Sequence, residues 1–259
     1  MKRSRSITSK IPSVLAIALL LLVWQALSSF EIIPRFLLPS PLDVLKAFGE
    51  DFFVLMEHAQ VTLAEAFFGL VLGVTTGVLF AVLMDASALI NKTVYPLLVL
   101  TQTVPTVAIA PLLVLWMGYG MLPKVILIVI TAFFPVTIGM LSGFAGTDQD
   151  TIHLMQSMGA SKRQIFTMVK LPNSLEQFFA GLKIAVTYSV VGAVIAEWLG
   201  GFSGLGVYMT RVKKSYSYDK MFAVIFLISA ISLLLMAAVK VLQKKCMPWD
   251  KYNEKNSAM

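Results

Sequence analysis

Six long apolar stretches separated by short polar segments dominate this sequence. A helix rises about 1.5 Å per residue, so about 20 apolar residues cross the hydrocarbon core of a bilayer. Because 58% of the residues are hydrophobic and only 14% are charged, a water-soluble fold would expose large apolar patches. The pattern therefore predicts an all-α integral membrane protein with a single domain over residues 1–259. The six predicted spans cover residues 11–30, 61–84, 95–117, 125–144, 179–199 and 221–242.

The distribution of lysine and arginine predicts how the chain crosses the membrane. With six spans and both termini inside, 14 of these residues lie on the inner side and 7 on the outer side, although the cluster RVKKS at 211–215 opposes the trend. Because cytoplasmic loops are enriched in lysine and arginine, we expect cytoplasmic termini and a location in the cell membrane. The net charge of +7 is then explained by an anionic inner leaflet rather than by nucleic acid.

The longest predicted inner loop, 145–178, contains the basic stretch MGASKRQIFTMVKLP. Asp148 can cap a short helix, and Gly159 suits the left-handed conformation in which helices often stop. Ser161 has capping-box spacing to Gln164, so a second short helix is expected to start there. We call the predicted turn between these two helices, at Gly159, the elbow.

The second short helix is expected to end at Pro172, because proline removes a backbone donor. Ile165, Met168 and Val169 then fall on one helical face, at i, i+3 and i+4. Two readings of this apolar face stay open. An amphipathic loop can lie on lipid headgroups, or the face can fill a groove on a soluble partner.

The same stretch resembles the coupling motif of binding-protein-dependent ABC importer permeases. That motif reads Glu-Ala-Ala, three residues, Gly, nine residues, then Ile-x-Leu-Pro. Gly159 matches its glycine, and Val169, Leu171 and Pro172 stand at the positions of Ile-x-Leu-Pro. Residues 153–155 are His-Leu-Met where the motif has Glu-Ala-Ala. The resemblance implies ATPase-coupling residues at Gly159, Ala160, Ser161, Arg163, Ile165, Met168, Val169, Leu171 and Pro172.

Further stretches resemble the nitrate, sulfonate and taurine branch of these permeases, which includes permeases for pyrimidine precursors of thiamine. The resemblance implies the type I importer permease fold. The matching stretches, in chain order, are LLPSPLDVL (37–45), VPTVAIAPLLVLWMGYG (104–120), AFFPVTIGMLSG (132–143) and AEWLGGFSGLG (196–206).

The resemblance also implies the partners. Two permeases, expected to be identical copies, would form the pathway, two cytoplasmic ATPases would drive it, and an extracytoplasmic binding protein would deliver the solute. The sequence contains no G-x-x-x-x-G-K-[ST] phosphate-binding loop. We therefore expect no cofactor and no enzymatic activity in this chain, with ATP and Mg²⁺ held by the partner ATPase.

The solute is the least determined part of the interpretation. The stretch KSYSYDKMFA at 214–223 favours a pyrimidine thiamine precursor, with an aliphatic sulfonate, taurine or nitrate as alternatives. A self-sufficient secondary transporter is a weaker alternative, because it needs internal repeats and coupling groups near the midplane. A metal site is not expected, since the one cysteine and two histidines have no companions at metal-ligand spacing.

Gly69, Gly73 and Gly77 form a stripe on the second span, because glycines at every fourth position lie on one helical face. Such a stripe lets another helix approach closely. The neighbour is either a helix of the same subunit or, alternatively, a dimer partner or a moving contact.

Polar residues within the spans indicate a translocation pathway. Pro105 can kink the third span, and Gln102 and Thr103 lie beside it. Glu197 lies near the outer end of the fifth span, where it lines the pathway or is an interfacial carboxylate with satisfied hydrogen bonds. For Glu65, near the outer start of the second span, helix capping or pairing with a nearby lysine or arginine is expected.

Overall fold

The computed structural model describes residues 11–249, and all regular elements within them are helical. The terminal lysines and arginines used in the topology argument, within 1–10 and 250–259, lie outside the described residues. The helices are α1 (Ile11–Ser29), α2 (Pro41–Glu50), α3 (Phe52–Ala86), α4 (Ala88–Thr103), α5 (Thr106–Met117), α6 (Met121–Ala145), α7 (Gln149–Ser157), α8 (Lys162–Ile165), a π-helix (Phe166–Lys170), α9 (Leu171–Gly200), α10 (Leu205–Lys214) and α11 (Tyr218–Cys246).

Five of the six predicted spans each fall on one helix, and the third falls on two. By length and composition, four helices in the described part are able to cross a membrane, or five if the bent pair α4 and α5 is one span. The first predicted span corresponds to a shorter apolar helix, Val14–Ser29 within α1. The number of six spans and the cytoplasmic position of both termini stay predictions.

The third predicted span is broken rather than continuous, with α4 and α5 meeting at 97°. Val104 is extended, with φ −83° and ψ 121°, and Pro105 precedes α5 with ψ 125°. A proline disfavours the helical conformation of the residue before it and lacks the N–H that a continuous helix needs. The predicted kink therefore takes the form of a sharp break, whereas Pro96 and Pro111 are accommodated inside their helices.

Within the described residues the chain divides into two compact units, of which the larger comprises 59–207 and 228–249. Its centre is the packing of α6 on α9, around the fully buried Ala132, Val136 and Ala185. Small residues let the two backbones touch: a Cβ on Gly181 would overlap the Pro135 carbonyl. Such close approach of backbones is a common mode of helix association in membranes.

The glycine stripe of α3 also lies against α6. The nearest atoms to Gly69, Gly73 and Gly77 belong to Ile128, Ala132, Phe133 and Val136 of this helix. A Cβ would overlap the Ile128 side chain at Gly69 and the Phe133 carbonyl at Gly77, and would lie 3.0 Å from the Ala132 Cβ at Gly73. The structure therefore places a helix of the same chain, not a second copy, on the stripe.

The smaller unit comprises, among the described residues, 11–58 and 208–227. Trp24 stacks on Phe226 at 5.7 Å between ring centroids and donates its indole N–H to the Pro39 carbonyl at 3.0 Å. Ser40 and Asp43 form a capping box at the start of α2. Asp51, just after α2, pairs with Lys220 at 2.7 Å.

Candidate functional site

The elbow has the local structure that its sequence predicts. Asp148 caps α7 by accepting the backbone N–H groups of Asp150 and Thr151, both at 3.2 Å. At the other end Gly159 has φ 80°, and the Ala160 N–H donates to the Met155 carbonyl at 3.0 Å. This bond across a left-handed residue is a Schellman-type helix stop. A Cβ on Gly159 would meet nothing within 4 Å, so the backbone conformation alone favours glycine here.

The second helix begins as predicted but does not end at Pro172. Ser161 and Gln164 form the expected capping box, and the chain then remains helical from Lys162 to Gly200, over 39 residues. The prediction that Pro172 ends a short helix is therefore wrong. The π-helix explains how the proline is accommodated, since the Leu171 N–H donates to the Phe166 carbonyl five residues earlier. The wider turn relieves the clash that a proline ring makes in a regular helix.

The three predicted apolar residues do not share one exposed face. Ile165 is buried, with 6% of its surface exposed, whereas Met168 is 67% exposed and Val169 lies between these extremes. Leu154 on α7 and Met158 just after it are also well exposed, and sequence analysis missed them. Their spacing of four residues was the available signal. The surface offered by the segment therefore combines Leu154, Met158 and Met168 with the exposed Ser161 and Arg163.

The opposite side of the segment is anchored to neighbouring helices. Lys170, the last residue of the π-helix, holds both carboxylate oxygens of Asp85 at 2.8 and 3.0 Å. Asn173 donates to the Gly143 carbonyl at 3.1 Å, at the end of α6. These contacts connect the segment to the ends of α3 and α6.

A cleft of about 950 Å³ lies beside these anchors. It is lined by the α3–α4 junction, the end of α6 and the segment from α7 to the π-helix. Its charged lining consists of Asp85, Lys162, Arg163 and Lys170. The cleft and the exposed residues near the elbow make this predicted inner face a strong candidate for a docking surface.

The predicted pathway residues fall into two environments. Gln102, Thr103 and Pro105 are exposed at the break between α4 and α5. Glu197 is buried, and its carboxylate accepts the Thr62 hydroxyl at 2.7 Å and the Gly206 N–H at 2.6 Å. Its place in a translocation pathway stays a prediction, while its hydrogen bonds are satisfied within the chain.

Glu65 is paired with a lysine, as the sequence predicted. Its carboxylate lies 2.5 Å from the Lys124 ammonium group, and the two side chains are only 3% and 5% exposed. Both residues lie close enough to Glu197 to act on it electrostatically. Two carboxylates, one ammonium group and the Thr62 hydroxyl thus form a buried polar cluster connecting α3, α6 and α9. Within residues 11–249, no group of three or more His, Cys, Asp or Glu is arranged to hold a metal ion.

A family model described as "Binding-protein-dependent transport system inner membrane component" matches residues 69–247. The chain is 37% identical over 234 residues to the formylaminopyrimidine transport permease protein ThiX of Halalkalibacterium halodurans, which covers 90% of this chain and 93% of that protein. It is 30% identical over 253 residues to the taurine transport system permease protein TauC of Escherichia coli, covering 95% of this chain and 91% of that protein.

The fold also has a counterpart among solved structures. A chain of the inward-facing MetNI methionine ABC transporter matches with a TM-score of 0.60 and 21% identity, covering 74% of this chain and 94% of that chain. At this identity the likeness concerns the fold. It confirms the predicted all-α architecture of an ABC importer permease.

Proposed function

Because this chain belongs to the family of binding-protein-dependent transport system inner membrane components and is a permease subunit of an ABC importer, we propose that its solute is a pyrimidine precursor of thiamine. The chain is a multi-pass membrane transport subunit rather than an enzyme, and ATP is hydrolysed on a separate chain. The observation that supports the solute is the 37% identity to a formylaminopyrimidine permease over 90% of this chain.

A sulfonate or taurine is the second candidate solute. The chain is 30% identical to the taurine permease TauC over 95% of its length. The higher identity to the formylaminopyrimidine permease favours the pyrimidine. The first predicted span and the elbow do not distinguish a pyrimidine from a sulfonate. In the proposed importer, the binding protein makes most of the selection between solutes.

Uptake into proteoliposomes tests the choice. The permease is reconstituted with its ATPase and its binding protein, and uptake of labelled formylaminopyrimidine is compared with uptake of labelled taurine. ATP-dependent uptake of the pyrimidine, with none of taurine, supports the proposal. Uptake of taurine alone replaces the pyrimidine by the second candidate. ATP-independent uptake by the permease alone would indicate a secondary transporter instead.

The coupling residues are proposed to contact the ATPase through the exposed side of the segment. Gly159, Ala160 and Ser161 set the elbow, while Arg163, Met168 and Val169 offer side chains to the ATPase surface. The buried Ile165, with Leu171 and Pro172, supports this surface from inside. ATP and Mg²⁺ are proposed to be bound by that partner and not by this chain.

A second copy of the permease is proposed to cover the break between α4 and α5. Gln102 and Thr103 are exposed there in a predicted span, and a polar side chain facing lipid is costly. Large apolar side chains on the adjoining α5, including Leu112, Leu115 and Trp116, are also exposed. In a homodimer, the α4–α5 breaks of the two copies would lie around a common axis. The polar groups would then face a water-filled pathway through the cell membrane.

A further inference from the structure

The π-helix lies between the proposed ATPase contact and the long helix α9. Regular α-helix lies on both sides of it, at Lys162–Ile165 and Leu171–Gly200. A π turn replaces the regular hydrogen bonds of an α-helix by bonds five residues apart and is frequent at functional sites. A displacement of α8 is therefore expected to be absorbed at Phe166–Lys170 before it reaches α9.

Lys170 is the last residue of this π-helix. Its ammonium group lies 2.8 and 3.0 Å from the two oxygens of Asp85, and both side chains are partly buried. A bidentate, partly buried pair is held more firmly than a single exposed contact. Any movement of the π-helix therefore pulls on Asp85.

Asp85 is the second-last residue of α3. A carboxylate at a helix C-terminus is unfavourable, because that end of the helix carries partial negative charge. No cation lies in the last turn of α3 itself. The charge that compensates Asp85 comes instead from Lys170, so the end of α3 is electrostatically bound to the π-helix.

The segment is attached to α6 by different contacts. Asn173 donates to the Gly143 carbonyl at 3.1 Å, and Phe166 packs on Phe144 with ring centroids 5.4 Å apart. These contacts do not involve charge. Removing the Asp85–Lys170 pair therefore leaves the attachment to α6 in place, while the attachment to α3 is weakened.

We propose that the Asp85–Lys170 pair is the link through which movement of the ATPase-bound segment reaches α3. Asp85 and Lys170 are positioning residues for transport, and neither touches the solute. The inference rests on the proposed function in one respect: it requires that the ATPase docks near the elbow. Loss of the link uncouples ATP hydrolysis from uptake without releasing the ATPase.

The test uses neutral, conservative and exchanged variants of the full complex in proteoliposomes. Asp85→Asn and Lys170→Gln remove the pair, Lys170→Arg keeps it, and Asp85→Lys with Lys170→Asp reverses it. Lys92→Gln is the matched control, since Lys92 is an exposed lysine of α4 on the same predicted side. ATPase co-purification, ATP hydrolysis and uptake are measured at equal permease content.

We expect each neutral variant to retain the ATPase and to hydrolyse ATP while uptake per ATP falls by about tenfold, the factor for about 1.4 kcal/mol. Lys170→Arg and Lys92→Gln should transport like the wild type, and the exchanged pair should recover most of the lost uptake. Normal uptake per ATP in both neutral variants overturns the link. Loss of ATPase binding in them also overturns it, because the pair would then serve docking.

The proposed function fails in a different way. If the wild-type permease does not retain the ATPase, the docking premise is wrong before any variant is considered. If a neutral variant fails to fold, its yield and gel-filtration profile in detergent reveal this. The comparison then uses Lys170→Arg and the exchanged pair: recovery in both supports the link, and equal loss in both overturns it.

Discussion

Thr62 and Glu197 are separated by 135 residues in the chain and joined by a buried hydrogen bond of 2.7 Å. The Thr62 hydroxyl also accepts the Leu205 N–H at 2.8 Å, and Glu197 accepts the Gly206 N–H at 2.6 Å. These N–H groups are at the start of α10, where a helix has no intrahelical partners for its donors. Gly204, with φ 121°, leaves no room for a side chain beside the Glu197 carboxylate. Two residues from remote helices therefore cap α10.

Replacing Glu197 with alanine is expected to destabilise the protein. The Thr62 hydroxyl and the Gly206 N–H would lose a buried acceptor, which costs about 1–3 kcal/mol for each unsatisfied group. Thermal unfolding in detergent measures the loss, and Glu197→Gln, which keeps one carbonyl acceptor, should fall between alanine and wild type. A Glu197→Ala variant with normal stability and abolished uptake would instead indicate that Glu197 lies in the translocation pathway.

The buried Glu65–Lys124 pair is expected to be costly to break from one side. Lys124→Met leaves a carboxylate buried without its cation, which costs about 3–5 kcal/mol. The second Glu65 oxygen already has no hydrogen-bond partner. Replacing both residues with methionine should destabilise less than Lys124→Met alone, as a double-mutant cycle of unfolding would show.

The exposed Lys46–Glu50 pair serves as the control for this cycle. Its charged groups are 3.9 Å apart, and the side chains are 78% and 57% exposed. Exposed pairs contribute about 0–1 kcal/mol, so Lys46→Met should leave the free energy of unfolding almost unchanged. If Lys46→Met and Lys124→Met lowered the free energy of unfolding equally, burial would not explain the cost of breaking the Glu65–Lys124 pair.

Gly159→Val is expected to misplace the elbow. A β-branched residue at φ 80° is strained by about 1–2 kcal/mol, although there is space for its side chain. Gly159→Asn should be tolerated better, because asparagine visits the left-handed region. Co-purification of the ATPase should weaken for valine and persist for asparagine. Gly49→Ala is the control, since Gly49 lies within α2 and also has open space at its Cβ.

Asp51 is expected to make stability depend on acidic pH. Its hydrogen bond with Lys220, and then that with Tyr208, lower the pKa of its carboxyl below the ordinary value of 3.8. A lowered folded-state pKa contributes stability above the unfolded pKa, and this contribution is lost as pH falls through the folded pKa. Acid unfolding in detergent should therefore be less steep below about pH 4 in Asp51→Asn. Identical profiles for both proteins would count against the pairing.

Cysteine labelling tests the predicted orientation. In a Cys246→Ser background, a cysteine at Asp148 should react only from the cytoplasmic side and one at Ser217 only from outside. The motivation is the excess of lysine and arginine, 14 against 7, on the predicted inner side. Labelling at position 148 from outside would contradict the predicted orientation. The elbow would then lie on the side of the membrane opposite to the ATPase.

Local signals in the sequence determined much of the elbow. The signals for the turn are all local. Asp148 and the Ser161–Gln164 box cap backbone N–H groups within a few residues, and Gly159 adopts a positive φ, so their spacing was sufficient to predict the turn. The apolar stretches likewise predicted membrane helices, because crossing a bilayer demands length and hydrophobicity alone.

Tertiary structure decided the features that depend on distant partners. Pro172 did not stop its helix, because a π turn absorbed it, and Ile165 is buried although Met168 on the same segment is exposed. The Lys170–Asp85 and Thr62–Glu197 contacts join residues 85 and 135 positions apart. Helical periodicity places such residues on faces of single helices, but which faces meet depends on close packing between helices. In this protein that packing is set by the glycine contacts of α3 and α9 with α6.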